Sequence, residues 1–230
     1  MPIYQLIPEP VFPPPQMADD NGLLAVGGDL SPQRLLLAYS MGIFPWFNEG
    51  DPILWWSPDP RFILELDRLH VSRSLARVLR RGSFEVTFDR NFAGVIDACA
   101  DLRLQSGEGT WITPQLRDSY VQLHDMGFAH SVEVWRADDL VGGLYGVSLG
   151  RCFFGESMFH RASNASKVAL AELVRRLRHL EFELLDCQMP NDHLRSLGAQ
   201  GIPRDEFLQR LRRGGVMPST HPDPGPFRLD

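Results

Sequence analysis

Residues 151–188 leave the chain little choice of arrangement. Residues 151–159 read as one strand and 182–188 as another. Between them Ser163 or Asn164 caps a helix with Val168, Leu170, Leu173, Val174, Leu177 and Leu180 on its apolar face. A helix of that length between two strands joins neighbours of one sheet by a crossover. Two earlier strand-like runs, 129–135 and 140–149, read as antiparallel companions of the first. Further upstream, Ser72 opens a basic helix that Gly82 ends, and residues 84–88 alternate as a strand. Asn91 then caps a helix to about Ala100, and Thr113-Pro114 begins one that Gly127 ends. Residues 191–197, closed by Gly198, and 204–211 are the last helices. This order predicts an α+β fold with a mixed, mostly antiparallel sheet flanked by helices.

Residues 1–62 follow a different pattern and are expected to form a small N-terminal domain ahead of a larger one at 63–230. More than half of the 18 prolines fall there, so turns and extended chain should dominate. One helix is clear: Ser31 is a natural N-cap, Pro32 suits the first helical position, and Gly42 stops an apolar face of Leu35, Leu36 and Tyr39. Beyond it, three of the five tryptophans lie among prolines between Gly42 and Pro60. Such rings make either a packed loop or a rigid wall for a flat ligand. The proline-bearing tail after Gly214 should be irregular.

A formal net charge of −6 argues against a nucleic-acid partner until its distribution is considered. Residues 1–67 hold nine acids and two arginines, whereas 68–230 hold 20 acids and 21 bases. Arg68, Arg73, Arg77, Arg80 and Arg81 cluster without an acid, and Arg161, Lys167, Arg175, Arg176 and Arg178 gather around Glu172. Every base except Lys167 is arginine, which suits bidentate phosphate contacts. These patches are either solvated helix faces or contacts for a polyanion. Cys99, Cys152 and Cys187 lack metal-ligand spacing and read as buried free thiols. No apolar run approaches the ~20 residues that cross a bilayer, and the N-terminus lacks signal-peptide regions. A cytoplasmic chain without membrane contact is therefore expected.

Two acids interrupt apolar strands. Alternation puts Leu184, Asp186 and Gln188 on one face of 182–188, and Phe154, Glu156 and Met158 on one face of 151–159, opposite Phe153. A lone buried acid is unfavourable. On neighbouring strands, Asp186 and Glu156 imply either a polar site between them or separate ion pairs, with Arg151 or Arg161 as candidate partners. With Gln188, which both donates and accepts, they could hold an amine and manage its proton during attack on an ester. His193 reads as structural. Gly27-Gly28 and Gly142-Gly143 fit no phosphate-binding loop. The turn at 160–167 has no glycine, unlike the pyrophosphate turn of CoA-dependent GNAT-type N-acyltransferases.

Seven motifs in order carry a further message. They are Asn21-Gly-Leu-Leu-Ala-Val-Gly-Gly-Asp-Leu-Ser31, Gly42-Ile-Phe-Pro-Trp-Phe47, Leu54-Trp-Trp-Ser-Pro-Asp-Pro-Arg61, Glu108-Gly-Thr-Trp-Ile-Thr113, Leu140-Val-Gly-Gly-Leu-Tyr-Gly146, Phe154-Gly-Glu-Ser-Met-Phe159 and Leu185-Asp-Cys-Gln188. Together, from about residue 4 to 211, they resemble the bacterial leucyl/phenylalanyl-tRNA–protein transferases. The resemblance implies a monomer with a small N-terminal domain and a GNAT-like C-terminal domain, using neither metal nor CoA. It implies transfer of Leu or Phe, and Met less well, from leucyl-, phenylalanyl- or methionyl-tRNA to the α-amine of proteins beginning with Arg or Lys. The product would be an N-degron for the bacterial N-end rule. Asp186 and Gln188 match the pair that manages the acceptor amine, and Glu156 matches a residue that places the aminoacyl group. Trp46, Trp111 and Tyr120 match aromatics that hold the terminal adenosine, as stacking on an unpaired 3′ base requires. Leu144, Phe153, Met158, Leu170, Leu173, Leu177 and Leu185 would line the donor side-chain pocket, with Asn191 among the substrate-binding residues. Arg73, Arg77, Arg80 and Arg81 would meet the tRNA acceptor arm. Two alternatives on this fold are a CoA-dependent N-acetyltransferase and a non-catalytic RNA- or peptide-binding module.

Overall fold

The computed structural model describes residues 3–106 and 110–227, so Glu108 and Gly109 of the fourth motif lie outside the described residues. The N-terminal part builds a small sheet from β1 (Tyr4–Leu6), β2 (Leu23–Gly27), β3 (Phe44–Pro45) and β4 (Leu54–Trp56), with α1 (Pro32–Ser40) between β2 and β3. Its strand order is β1-β2-β4-β3. The remaining chain runs through β5 (Arg61–Leu64), α2 (Arg73–Arg81), β6 (Glu85–Phe88), α3 (Phe92–Ser106), α4 (Pro114–Asp125), β7 (Ala129–Arg136), β8 (Asp139–Leu149) and β9 (Cys152–His160). It then continues with α5 (Ala165–His179), β10 (Leu184–Gln188), α6 (Asp192–Ser196), β11 (Gln200–Ile202) and α7 (Arg204–Arg213). These strands form one mixed sheet in the order β11-β5-β10-β9-β8-β7-β6. The whole is a mixed α+β structure.

Local cues explain most boundaries. The side chains of Ser31, Ser72, Thr113 and Asn191 each accept a backbone N–H three residues on, satisfying a donor that the helix leaves orphaned. Asn91 does the same for Gly94 at the start of α3, which runs past the expected end near Ala100 to Ser106. At α5 the expected cap is absent: Asn164 has φ +68° and no side-chain capping bond. The apolar stripe instead holds α5 in place, with Leu170, Leu173, Val174 and Leu177 buried. Removing such a side chain from water stabilises by roughly 1.5–3 kcal/mol.

The expected crossover is present, since β9 and β10 pair in parallel on either side of α5. Four N-terminal strands, β5 and β11 were not expected. They are two to five residues long, and prolines or glycines interrupt the alternation that would reveal them. Strand β5 lies between β10 and β11 and is buried along its whole length. One core joins Leu35, Tyr39 and Trp55 to Val95, Leu116 and Phe154, while a second gathers α5 against the opposite sheet face.

The face assignment on β9 requires correction. Tyr145 pairs with Ser157 and Gly146 with Gly155, leaving Glu156 as an extra residue, a β-bulge. Past a bulge the faces exchange. Met158 therefore packs with Phe153 in the core beneath α5, while Phe154 and Phe159 share the opposite core. Phe154, Glu156 and Met158 do not share a face.

Candidate active site

The bulge falls where the two central strands part. Parallel pairing of β9 and β10 stops at Asp186 opposite Phe154, after which β9 runs on to His160 and β10 ends at Gln188. A cavity of about 360 Å³ opens there. Its walls include Phe44, Trp46 and Trp111 on one side and Leu144, Met158, Leu170, Leu173 and Leu185 on another. Glu156, Asp186, Gln188 and Asn191 also line it. A mostly apolar cavity with a few convergent polar groups is the usual form of a small-ligand site.

Glu156 is the centre of the polar group. Its Oε1 accepts the Gln188 Nε2–H at 2.7 Å and its Oε2 accepts the Tyr120 hydroxyl at 2.8 Å. Tyr120 is in turn hydrogen-bonded to the hydroxyl of Tyr39 on α1. Burial pushes the Glu156 carboxyl up to about 7. The bonds from Tyr120, Tyr39 and Gln188 oppose that rise, and the charge of Asp186 adds to it. Burial, with the Glu156 charge, holds both tyrosine hydroxyls well above their ordinary range. Both therefore stay protonated, and the pair retains a hydrogen to give Glu156.

Asp186 is fully buried and accepts two parallel bonds from Arg61, Nε to Oδ1 at 2.8 Å and Nη2 to Oδ2 at 2.7 Å. Arg61, not Arg151 or Arg161, is its partner. Arg151 pairs with Glu181, and Arg161 lies over the Phe159 ring. The Arg61 guanidinium sits 4.8 Å from the Phe44 ring and 4.6 Å from that of Phe207, and its Nη1 donates to Gly42 O at 3.0 Å. Asp186 Oδ1 also accepts the Gln188 N–H at 2.9 Å. That bond holds Gln188 in the left-handed region, φ +60°, which a non-glycine residue enters at a penalty of roughly 1–2 kcal/mol. The twisted backbone ends the alternation of β10 and carries the Gln188 amide to Glu156.

Of the residues expected in the donor pocket, Leu144, Met158, Leu170, Leu173 and Leu185 line the cavity, as do Trp46, Trp111 and Asn191. Phe153, Leu177 and Tyr120 do not reach its surface. All three are fully buried, and Tyr120 presents a hydroxyl to Glu156 instead of a ring to the cavity. Trp46, 40% exposed, stands edge-on to Trp111 and Trp56, with ring centroids 6.4 and 5.9 Å away. Arg73, Arg77, Arg80 and Arg81 are all exposed along α2 at spacings that place them on one stripe. Two members of the other basic cluster are engaged, Arg175 with Glu172 and Arg178 with Asp67.

Sequence reasoning missed Arg61 and Tyr39. Arg61 was available as the only arginine besides Arg34 in the first 67 residues, yet nothing local ties it to an acid. Tyr39 looked like one more apolar residue of α1.

A carboxyl that burial raises to about 7, oriented by an amide and a tyrosine pair beside an apolar cavity, has the features shared by enzyme sites in which a side chain exchanges a proton with a bound molecule. A family model described as leucyl/phenylalanyl-tRNA protein transferase matches residues 63–212, and one for the N-terminal domain of the same family matches 28–59. A leucyl/phenylalanyl-tRNA–protein transferase of Syntrophotalea carbinolica is 62% identical over 227 residues, covering 99% of each chain. Another from Syntrophus aciditrophicus is 55% identical over 229 residues, covering 97% of this chain and 96% of the relative. Among solved structures, L-PGS from Bacillus licheniformis matches with a TM-score of 0.39 at 11% identity, over 74% of this chain and 54% of that one. The chain belongs to the leucyl/phenylalanyl-tRNA–protein transferase family, and is a transferase.

Proposed function

We propose that this protein transfers Leu or Phe, and Met less well, from aminoacyl-tRNA to the α-amine of proteins with N-terminal Arg or Lys. The observation that carries this reading is the contact of Glu156 with Gln188 and Tyr120 beside an apolar cavity rimmed by Trp46 and Trp111. The reaction is aminolysis of the ester. The amine nitrogen attacks the carbonyl carbon, a C–N bond forms, and the C–O bond to the ribose breaks. One amine proton must leave and the ribose oxygen must gain one. Ionised Glu156 takes the proton and returns it to the leaving oxygen, because a value near 7 lies close to the ~7.7–8.0 of an α-amine. Gln188 keeps its Oε1 free to accept from the amine while its Nε2 is held by Glu156. Asp186, with both oxygens on Arg61, acts as an electrostatic anchor that positions Gln188.

In this reading the terminal adenosine stacks on the exposed ring of Trp46, which Trp111 supports edge-on, and Leu144, Met158, Leu170, Leu173 and Leu185 receive the donor side chain. The parting of two parallel neighbours supports a GNAT-like description of 63–230, with 1–62 as the N-terminal domain and the boundary inside β5. The product is an N-degron, made by a monomer in the cytoplasm. The test is transfer of labelled leucine from leucyl-tRNA to peptides that differ only in N-terminal Arg or Ala. Label on the Arg peptide alone is expected. Label on neither, with acetyl-CoA turnover, would replace this reading with an acetyltransferase.

The arginine stripe of α2 yields a second expected result. Changing Arg77 and Arg80 to glutamate should weaken tRNA binding roughly 10-fold and flatten the log–log salt dependence by about 1.5–2. Filter binding at three salt concentrations measures both. An unchanged slope would remove α2 from the tRNA contact.

A further inference from the structure

Among the described residues after Gly214, 215–227, there is no helix or strand, yet the segment is fastened at several points. Gly150 N–H donates to Asp223 O at 2.8 Å, and Ser148 Oγ to Pro224 O at 3.1 Å. Ser219 N–H donates to Ser40 Oγ at 3.0 Å, and Arg176 Nη2 to Phe227 O at 2.8 Å. Gly225, with φ +80°, passes so close to Gly150 that a Cβ there would lie 1.7 Å from the Gly150 oxygen. No other residue fits that crossing.

This path delivers Phe227 to a fully buried position. Its ring centroid is 5.2 Å from Phe153, 4.4 Å from His130 and 6.1 Å from Phe182, and the Arg176 guanidinium lies 5.0 Å over it. Phe153 in turn is the β-sheet partner of Leu185 and shares a core with Leu144, Leu170 and Leu173. Those four leucines are a wall of the cavity. The layers run from cavity to leucines, to Phe153, to Phe227. In a close-packed interior a wall resists only as well as what stands behind it.

We infer that the C-terminal segment is a backstop for the donor pocket: Phe227, by holding Phe153 from behind, sets the size of the donor side chain that the pocket accepts. This rests on the aminoacyl-transfer reading and deepens it. With the Phe227 ring removed, Phe153 gains space to retreat, and the wall yields to a bulky donor more than a close-packed one does. The larger donor, phenylalanine, then gains over leucine.

The experiment measures affinity by calorimetry for two stable analogues, leucine and phenylalanine each joined by an amide to 3′-amino-3′-deoxyadenosine. It compares the wild type with Phe227→Ala and Phe227→Leu, each checked for folding by thermal melting. The preference for the phenylalanyl over the leucyl analogue should rise about 10-fold in Phe227→Ala and less in Phe227→Leu, a range typical of one or two methylenes in an apolar pocket. The ratio of kcat/KM for phenylalanyl- and leucyl-tRNA should move with it. If Phe227→Ala does not fold, Phe227→Leu carries the comparison. Equal changes for both analogues, or an unchanged ratio beside a lowered Tm, would overturn the backstop and leave the transfer function standing. A wild type that binds neither analogue would overturn the transfer reading itself, and the backstop with it.

Discussion

Arg61→Met is expected to destabilise the folded protein by about 3–5 kcal/mol and to abolish transfer, because it strands Asp186 as a buried charge with no counter-ion. Both side chains are fully buried, and two parallel hydrogen bonds join them. The guanidinium also bridges Gly42 O and two aromatic rings, so its loss loosens the junction of β5, β10 and α7. Urea unfolding reads the stability, and single-turnover transfer reads the activity. Adding Asp186→Asn to Arg61→Met removes the unpaired charge and should recover most of the stability without restoring transfer. Arg61→Lys should not rescue, since an ammonium lacks the planar fork that meets both oxygens. A loss under about 1 kcal/mol for Arg61→Met would refute the reading of this pair as the anchor of the site.

Glu156→Gln is expected to lower kcat/KM at least about 100-fold while making the protein more stable at pH 8. The sign follows from the direction of the shift. Burial raises Glu156 from its ordinary value to about 7, so the folded state binds this proton more tightly than the unfolded chain. The stability this provides is complete below the unfolded value, near 4.5, and is lost as pH rises through about 7. The change across that window is about 3 kcal/mol. Unfolding free energies at pH 4.5 and 8 should therefore fall by about that much more in the wild type than in Glu156→Gln. The rate should run the other way, rising through pH 7 as the carboxylate forms. Tyr120→Phe removes one donor to that carboxylate and should move the rising limb to higher pH, whereas mere loosening would lower the rate at every pH. A limb that does not move would leave Tyr120 with a packing role only.

Legibility in the sequence followed the range of the interaction. The β9–α5–β10 unit was readable because apolar period and strand length are local, and an acid in each strand marked the site. The partner of Asp186 was not readable, since Arg61 lies 125 residues away. The bulge at Glu156 also escaped notice. Alternation has no sign for an added residue, although Gly146 was a hint: a Cβ there would lie 2.2 Å from Phe154 O. Tyr39 and Tyr120 were legible as aromatics, but only three-dimensional placement distinguishes a ring offered to a ligand from a hydroxyl offered to a carboxylate. The small N-terminal sheet was hidden by strands of two to five residues among prolines.

The position of β5 bears on synthesis. Both its sheet neighbours, β10 and β11, lie far downstream of it and emerge from the ribosome much later. Until then Arg61 has no carboxylate to meet and Glu156 has no Gln188. A nascent or prematurely terminated chain lacking β10 therefore carries Glu156 and the tyrosine pair but neither Asp186 nor Gln188, and the site can be assembled only once β10 has emerged. The same late pairing gives the fold many contacts between distant residues, which slows folding and leaves β5 dependent on β10 and β11 for protection from aggregation.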